Sequence, residues 1–496
     1  MATSDTGSSG SPSMDTPGRG AKLRSGPGLL WLLAASALLA ASWPLSAYAL
    51  GPAVFPGLAL LALGGALMIY RPEYGIAMTM ALSPFTNSVI GGSKPFHILL
   101  PALCFGLLAY ALLRAPERPV ERTGGVKTTL LIFVIVGVAS SILALDPGES
   151  ITKLFILLSA AALLLATLRI CAAREQLYVV LGGAIAALVL CGGQGVYQYL
   201  GGEHGQFGVV QNGVVVGRIQ GSFGHPNQYA GFLAALIPLA VAMLFTHSVP
   251  RALRWMSGLG LAMGVPALVW SYSRGALAAI VVGPIVWLIF VRPRFAVAAA
   301  ITLAALAYLF APGVVSQRFK STSGGEVEIR SDIWAAALDI YSEHPVLGVG
   351  VNNFSTAYAR LPTVPSGATQ RRLLQGEELL IPPHAQNLYL NVLAEEGLIG
   401  ILAFFLFAGA AVRRVFVGSR SDDPLTRNVC IGIGAGMTAL AVHSFLDVGL
   451  YGEVAFPLFT MIAVATMLTG MERETVRAPS SPESAVAPRL ALPATG

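Results

Sequence analysis

The chain has 496 residues, of which 55% are hydrophobic and only 11% charged. A soluble globular protein carries about 25% charged residues, so the composition excludes that class and points to a polytopic membrane protein. The formal net charge of +6 says little about nucleic acid, because most cations sit in short loops between apolar runs.

Residues 1–28 are rich in Ser, Gly, Thr and Pro and read as a disordered cytoplasmic tail without the compact parts of a cleaved signal. Fourteen apolar runs follow, at 29–50, 52–70, 75–90, 97–113, 128–145, 152–170, 177–200, 229–245, 258–271, 275–291, 296–311, 397–412, 429–446 and 454–470. The third contains Pro84, Asn87 and Ser88, so it is open to being broken or re-entrant. The expectation is an all-α inner-membrane protein of about 12–14 transmembrane helices. Its parts are helices over 29–311, an external loop over 312–396, helices over 397–470 and a second disordered cytoplasmic tail over 471–496.

Positive charge orients the spans. Arg19, Lys22 and Arg24 precede the first, and Arg114, Arg118, Arg122 and Lys127 fill one loop. Arg169 with Arg174, Arg251 with Arg254, Arg292 with Arg294, and Arg413, Arg414, Arg420 and Arg427 follow. All fall on one side if the count is fourteen, which puts both termini in the cytoplasm. Arg218, Arg274 and the arginines of 312–396 break the pattern on the outer side, whereas Lys94 and Lys153 read as ordinary interfacial lysines.

The external loop carries helical signals. Ser331 suits the N-cap of a helix with an apolar stripe of Trp334, Ala337, Leu338 and Tyr341. The Gly/Pro stretch 344–350 ends it, and a second helix is expected to start at Pro382–Pro383. On that helix Ala385, Leu388, Tyr389 and Val392 form the apolar face, with His384, Asn387 and Asn391 on another.

Three outer segments carry candidate chemistry. At a helix N-terminus the dipole disfavours an imidazolium, so a neutral His384 suits proton acceptance from a hydroxyl; a plain interface histidine is the alternative. Arg218 and Arg274 suit a phosphate, because guanidinium donates bidentately and stays charged; snorkelling or an internal ion pair is the alternative. Asn227 and Gln228 follow the turn holding His225, which reads as a turn or interface residue. His443 and Asp447, four apart, read as a structural pair, and Glu395 and Glu396 as a helix start. No Walker motif supports ATP hydrolysis. Cys104, Cys171, Cys191 and Cys430 show no CxxC spacing, so neither a disulfide nor a zinc site is expected. No cofactor or metal is expected.

Taken together, Arg218 with the following Gly–Ser–Phe–Gly–His–Pro–Asn, the Ser–Tyr–Ser–Arg274–Gly segment, Arg330 with Trp334, and His384–Ala–Gln–Asn–Leu resemble the O-antigen ligase / O-antigen polymerase family. His225 departs from the small polar residue found in many members, and the first two spans look like an addition. The resemblance implies a helical membrane fold of the GT-C type. It also implies metal-independent, inverting transfer of a glycan from undecaprenyl pyrophosphate to a glycan, lipid or protein hydroxyl, on the outer face of the bacterial cytoplasmic membrane. Mapped here, Arg218 and Arg274 would hold the pyrophosphate and Arg330 would support the loop or the phosphates. His384 would be the general base, with Asn227, Asn387 and Asn391 as support. A transporter or flippase of lipid-linked oligosaccharides is the rival, and an external recognition scaffold a third reading. The absence of an evident internal repeat and the nearly charge-free mid-span regions weigh against transport.

Overall fold

The computed structural model describes residues 65–66, 69–87, 96–116, 123, 125–202, 208–211, 214–298, 300–301, 324–361, 381–450 and 452–477. The apolar run 29–50 and the tails 1–28 and 478–496 lie outside the described residues, and the runs 52–70 and 296–311 are described only in part.

The described chain is predominantly helical and polytopic. In order, the helices are α1 (Pro72–Leu82), α2 (Phe96–Arg114), α3 (Val126–Ile142), α4 (Pro147–Ile170), α5 (Arg174–Leu200), α6 (Pro226–Leu244), α7 (Arg251–Trp270), α8 (Arg274–Val291), α9 (Gly324–Glu343), α10 (Phe354–Tyr358), α11 (Leu388–Ser419), α12 (Pro424–His443) and α13 (Ala455–Arg477). Nine of the described helices are long and apolar enough to cross a membrane: α2, α4 to α8 and α11 to α13, with α3 a shorter apolar helix. Of the expected run 75–90, the described part ends α1 at Leu82 and passes into a 3-10 turn at Ser83–Phe85 that holds Pro84, which has no backbone N–H to continue the α-helical ladder.

The bundle closes through small residues. A Cβ on Gly183 would strike the backbone of Ala77, one on Gly192 the backbone of Met263 and Gly264, and one on Gly283 the backbone of Ala439. Helices therefore approach backbone to backbone at these points, as packing in lipid favours. Large apolar side chains such as Phe133, Phe232, Phe456 and Phe459 fill the spaces between.

Between α5 and α6 the chain makes an antiparallel hairpin, β1 (Gly208–Gln211) and β2 (Val214–Gly217), pairing Gly208 with Gly217 and Gln211 with Val214. Sequence reading took this stretch as plain loop. The signal was Asn212–Gly213 between valine runs, a pair that favours two-residue hairpin turns.

Three expectations for the outer segments are corrected. First, α9 starts at Gly324, so Ser331 lies inside the helix and is not its N-cap. Second, the buried stripe of α9 is Ile333, Ala336, Ala337 and Ile340, while Leu338 is exposed. The stripe is thus turned by about one residue from the expected one, because the compact side chains pack with Val349, Phe354 and Ala394. Third, no helix starts at Pro382–Pro383. Residues 381–387 form turns, and α11 starts at Leu388, where the Asn387 side chain accepts the N–H groups of Tyr389 and Leu390.

The expected span start at Gly397 is instead a kink within α11, with Gly397 at φ 67°. Such a kink frees backbone groups that lipid cannot satisfy. The 345–350 segment satisfies them: Val349 and Gly350 donate to the carbonyls of Ala394 and Glu395, and Leu398 and Ile399 donate to those of Pro345 and Val346. Ser140 Oγ from α3 also donates to the Glu395 carbonyl at 2.8 Å. A Cβ on Gly348 would strike Glu395, and one on Gly397 would strike Val346, so neither position admits a side chain. The outer segment is thereby built into the bundle instead of resting on it.

Buried Asn353 completes the attachment. Its Oδ1 accepts the Asp146 N–H at 2.6 Å, and its Nδ2 donates to the Asp146 carbonyl and to Ser150 Oγ. Phe354 N–H donates to Glu395 Oε1 at 3.1 Å. The first turn of α4, the start of α10 and the kinked part of α11 thus share one polar network.

Candidate active site

At one end of the bundle these elements enclose a cavity of about 990 Å³. That is the size of a small-molecule site rather than a packing defect. Arg218, Arg274, Arg330, His384, Asn227 and Asn391 all line it, although they come from four separate stretches of chain. Asn387 does not line it; its side chain is committed to capping α11.

The arginine wall starts just after β2. Arg218 is only 8% exposed. Its Nε donates to the Ser271 carbonyl at 2.7 Å and its Nη2 to Asn227 Oδ1 at 2.8 Å. Arg218 is therefore tied to the turn that presents Arg274. Arg274 is the first residue of α8. A cation at a helix N-terminus opposes the helix dipole, whereas an anion there is stabilised by both the dipole and the guanidinium. Arg330 comes from α9 and donates from Nη1 to the Leu446 carbonyl at 3.0 Å, supporting the turn that carries Asp447.

A second set of lining groups is histidine and carboxylate. His384 Nε2 lies 3.9 Å from Asp447 Oδ1, and His443 Nε2 lies 3.7 Å from Asp447 Oδ2. Sequence reading paired His443 with Asp447 and left out His384; the fold puts the carboxylate between both rings. Asn391 Oδ1 accepts the Ala385 N–H at 3.0 Å and so pins the His384 turn to α11. Asn227 joins the two sets, since its side chain accepts from Arg218 and its carbonyl accepts from His443 Nε2 at 3.1 Å.

Burial sets the charge states here. It pushes His384 below the ordinary imidazole value; Asp447 opposes the shift, and Lys153 and Arg330 reinforce it. The expected neutrality of His384 thus comes from burial and not from a helix dipole, because the ring sits outside α11. Burial likewise pushes His225 down to about 4. Burial raises Asp447, but the His443 and His384 rings and the Val448 N–H outweigh it and hold the carboxyl below its usual range.

The backbone around the cavity is strained. Among the described residues three non-glycines have positive φ: Tyr272 at 51°, Asn352 at 62° and Gln386 at 51°. All three line the cavity. Such conformations cost of order 1–3 kcal/mol each and persist where the surroundings impose them. Their concentration here supports a functional site.

Several lining residues escaped the sequence reading as site residues: Lys153, Asn352, Glu395, Glu453, His443 and Asp447. For Glu395, Glu453 and Asp447 a signal existed, since buried carboxylates at the ends of apolar runs are functional candidates in membrane proteins. Lys153 looked like any interfacial lysine, and Asn352 like a loop residue.

Residues 259–405 match the family model described as O-Antigen ligase. The chain is related to this family over that central part. The match covers Arg274, Arg330 and His384, while Arg218 and Asp447 fall outside it. An O-antigen ligase of Pseudomonas aeruginosa is 27% identical over 229 residues, which are 43% of this chain and 51% of that protein. The chain thus spans about half the length of this curated relative.

Proposed function

We propose that the protein is a glycosyltransferase of the cytoplasmic membrane, of the GT-C type, that moves a glycan from an undecaprenyl-pyrophosphate carrier to an acceptor hydroxyl at the outer face. The observation that carries this reading is the cavity itself, lined by three arginines and by the His384–Asp447 pair. The relation to O-antigen ligases supports it. The carrier pyrophosphate meets Arg218, Arg274 and Arg330, whose charge stabilises it as it leaves. The acceptor hydroxyl enters beside His384 and Asp447 and attacks the anomeric carbon from the far side, which inverts the configuration. Arginine supplies the positive charge for the leaving group, so the reaction runs without a metal. With this topology both termini are cytoplasmic. A polymerase would use a second carrier-linked glycan as acceptor and a ligase a different molecule.

The test is transfer from an undecaprenyl-pyrophosphate oligosaccharide by purified protein with EDTA present. Wild type is expected to transfer. Arg274→Ala and His384→Ala are each expected to lose about 100-fold or more while remaining folded. A folded wild type that transfers from no donor, or two variants as active as wild type, would overturn the proposal. Chain growth without added acceptor would identify a polymerase.

A further inference from the structure

We infer that Asp447, and not a histidine, accepts the proton of the attacking hydroxyl, while His384 is held as a hydrogen-bond donor; this rests on the glycosyl-transfer reading above. The first ground is where the imidazole lone pairs point. Gln386 N–H donates to His384 Nδ1 at 3.1 Å. A ring nitrogen that accepts a hydrogen bond carries no proton, so the neutral ring holds its proton on Nε2. The Nε2–H side is the one nearest Asp447. His384 then has no lone pair left for a substrate proton unless it releases Gln386, whose backbone the same turn keeps left-handed. His225 repeats the arrangement, accepting the Asn227 N–H on Nδ1 at 3.1 Å.

The second ground is the carboxylate. Asp447 Oδ1 accepts the Val448 N–H at 2.8 Å. Oδ2 is buried and has no hydrogen-bond partner among the described residues. The nearby His443 Nε2, at 3.7 Å, is too far to donate to it. That Nε2–H goes to the Asn227 carbonyl, an acceptor that can take only a donor. Buried polar atoms are almost always paired, so a buried carboxylate oxygen of this kind on a cavity wall is suited to an incoming O–H.

The step balances without a co-reactant. The acceptor oxygen forms a bond to the anomeric carbon as the bond from that carbon to the phosphate oxygen breaks. The bonding pair leaves with the pyrophosphate, against the arginines. The acceptor proton passes to Asp447 Oδ2. The attacking oxygen becomes acidic only as its new bond forms, so a carboxylate of modest basicity suffices. His384 Nε2–H, 3.9 Å from Asp447 Oδ1, is left to donate to the acceptor oxygen between them.

The experiment compares transfer by Asp447→Asn, Asp447→Gly and His384→Gln with wild type, each verified as folded by thermal melt. It also reads the tautomer of His384 by ¹⁵N correlation on histidine-labelled protein. The expected result is a loss of about 100-fold or more in both Asp447 variants, partial recovery of Asp447→Gly by added formate, and a smaller loss in His384→Gln, whose amide still donates. The ring should be protonated on Nε2. An Nδ1-protonated His384, or His384→Gln as damaged as Asp447→Asn with no formate rescue, would overturn the assignment while leaving the transferase reading intact. A wild type inactive on the carrier-linked donor would overturn both.

Discussion

The two ends of the bundle use arginine in opposite ways. At the end away from the cavity, Arg169 donates to the Ala115 carbonyl, Arg254 to that of Leu244 and Arg420 to that of Phe290, and Arg174 pairs with Asp423. Arg169, Arg254 and Arg420 thus close helix ends, where unpaired carbonyls and the negative end of the dipole favour a cation, while Arg174, at the start of α5, is neutralised by Asp423. At the cavity end, Arg274 stands at a helix start, where the dipole opposes it, and Arg218 is buried. The first set stabilises helices; the second lines the cavity, where an anion would sit. One residue type therefore has two meanings, and a place on the cavity lining distinguishes them.

The contrast can be tested by substitution. The largest effect is expected from Gly283→Val, which forces the backbones of α8 and α12 apart. The bundle should fail to assemble, read as loss of monodisperse protein in detergent. Next, Arg274→Ala should abolish at least about 99% of transfer with little change in the melt, whereas Arg254→Ala should leave transfer intact. Equal effects of these two on transfer would break the comparison.

Asn353→Ala removes a fully buried amide that ties the outer segment to α4 and should lower the melting temperature through about 2–3 kcal/mol of lost hydrogen bonding. Transfer should fall with it, because the same network holds Glu395 and Asn352 beside the cavity. A further effect is that of pH through His225, which faces Asp447, Arg218, His384 and Arg330. Its folded value of about 4 lies below the ordinary value of about 6.5. The neutral ring is the favoured folded form, so its contribution is complete above about pH 6.5 and is lost as pH falls toward 4. His225→Asn should flatten that part of a melt-against-pH curve. The smallest effect is that of Arg254→Ala, which should shift the melt by only about 1–2 kcal/mol.

Much of this architecture was legible in the chain. Apolar runs located the helices, and charge parity separated Arg218 and Arg274 from the other arginines before any coordinates. The position of His384 beside the arginines followed from the outer loop's placement. The misreadings share a cause. The α9 stripe, the helix expected at Pro382 and the span start expected at Gly397 were each judged from local pattern. Each was decided by a partner distant in sequence: Phe354 and Ala394 for the stripe, Asn391 for the His384 turn, and the 345–350 backbone for the kink. Asn387 looked like a site residue because spacing cannot tell a cap from a ligand-facing amide.

Sequence by itself therefore determined the membrane class, the positions of most spans and the residue types available to the site, since these follow from hydropathy, turn chemistry and charge along one chain. Tertiary structure alone decided that Asp447 stands between His384 and His443, that Arg218 is braced on the turn before Arg274, and that Gln386 occupies one side of the His384 ring. Hydrogen bonds and ion pairs depend on distances of a few ångströms between residues far apart in the chain, and no local periodicity encodes those distances.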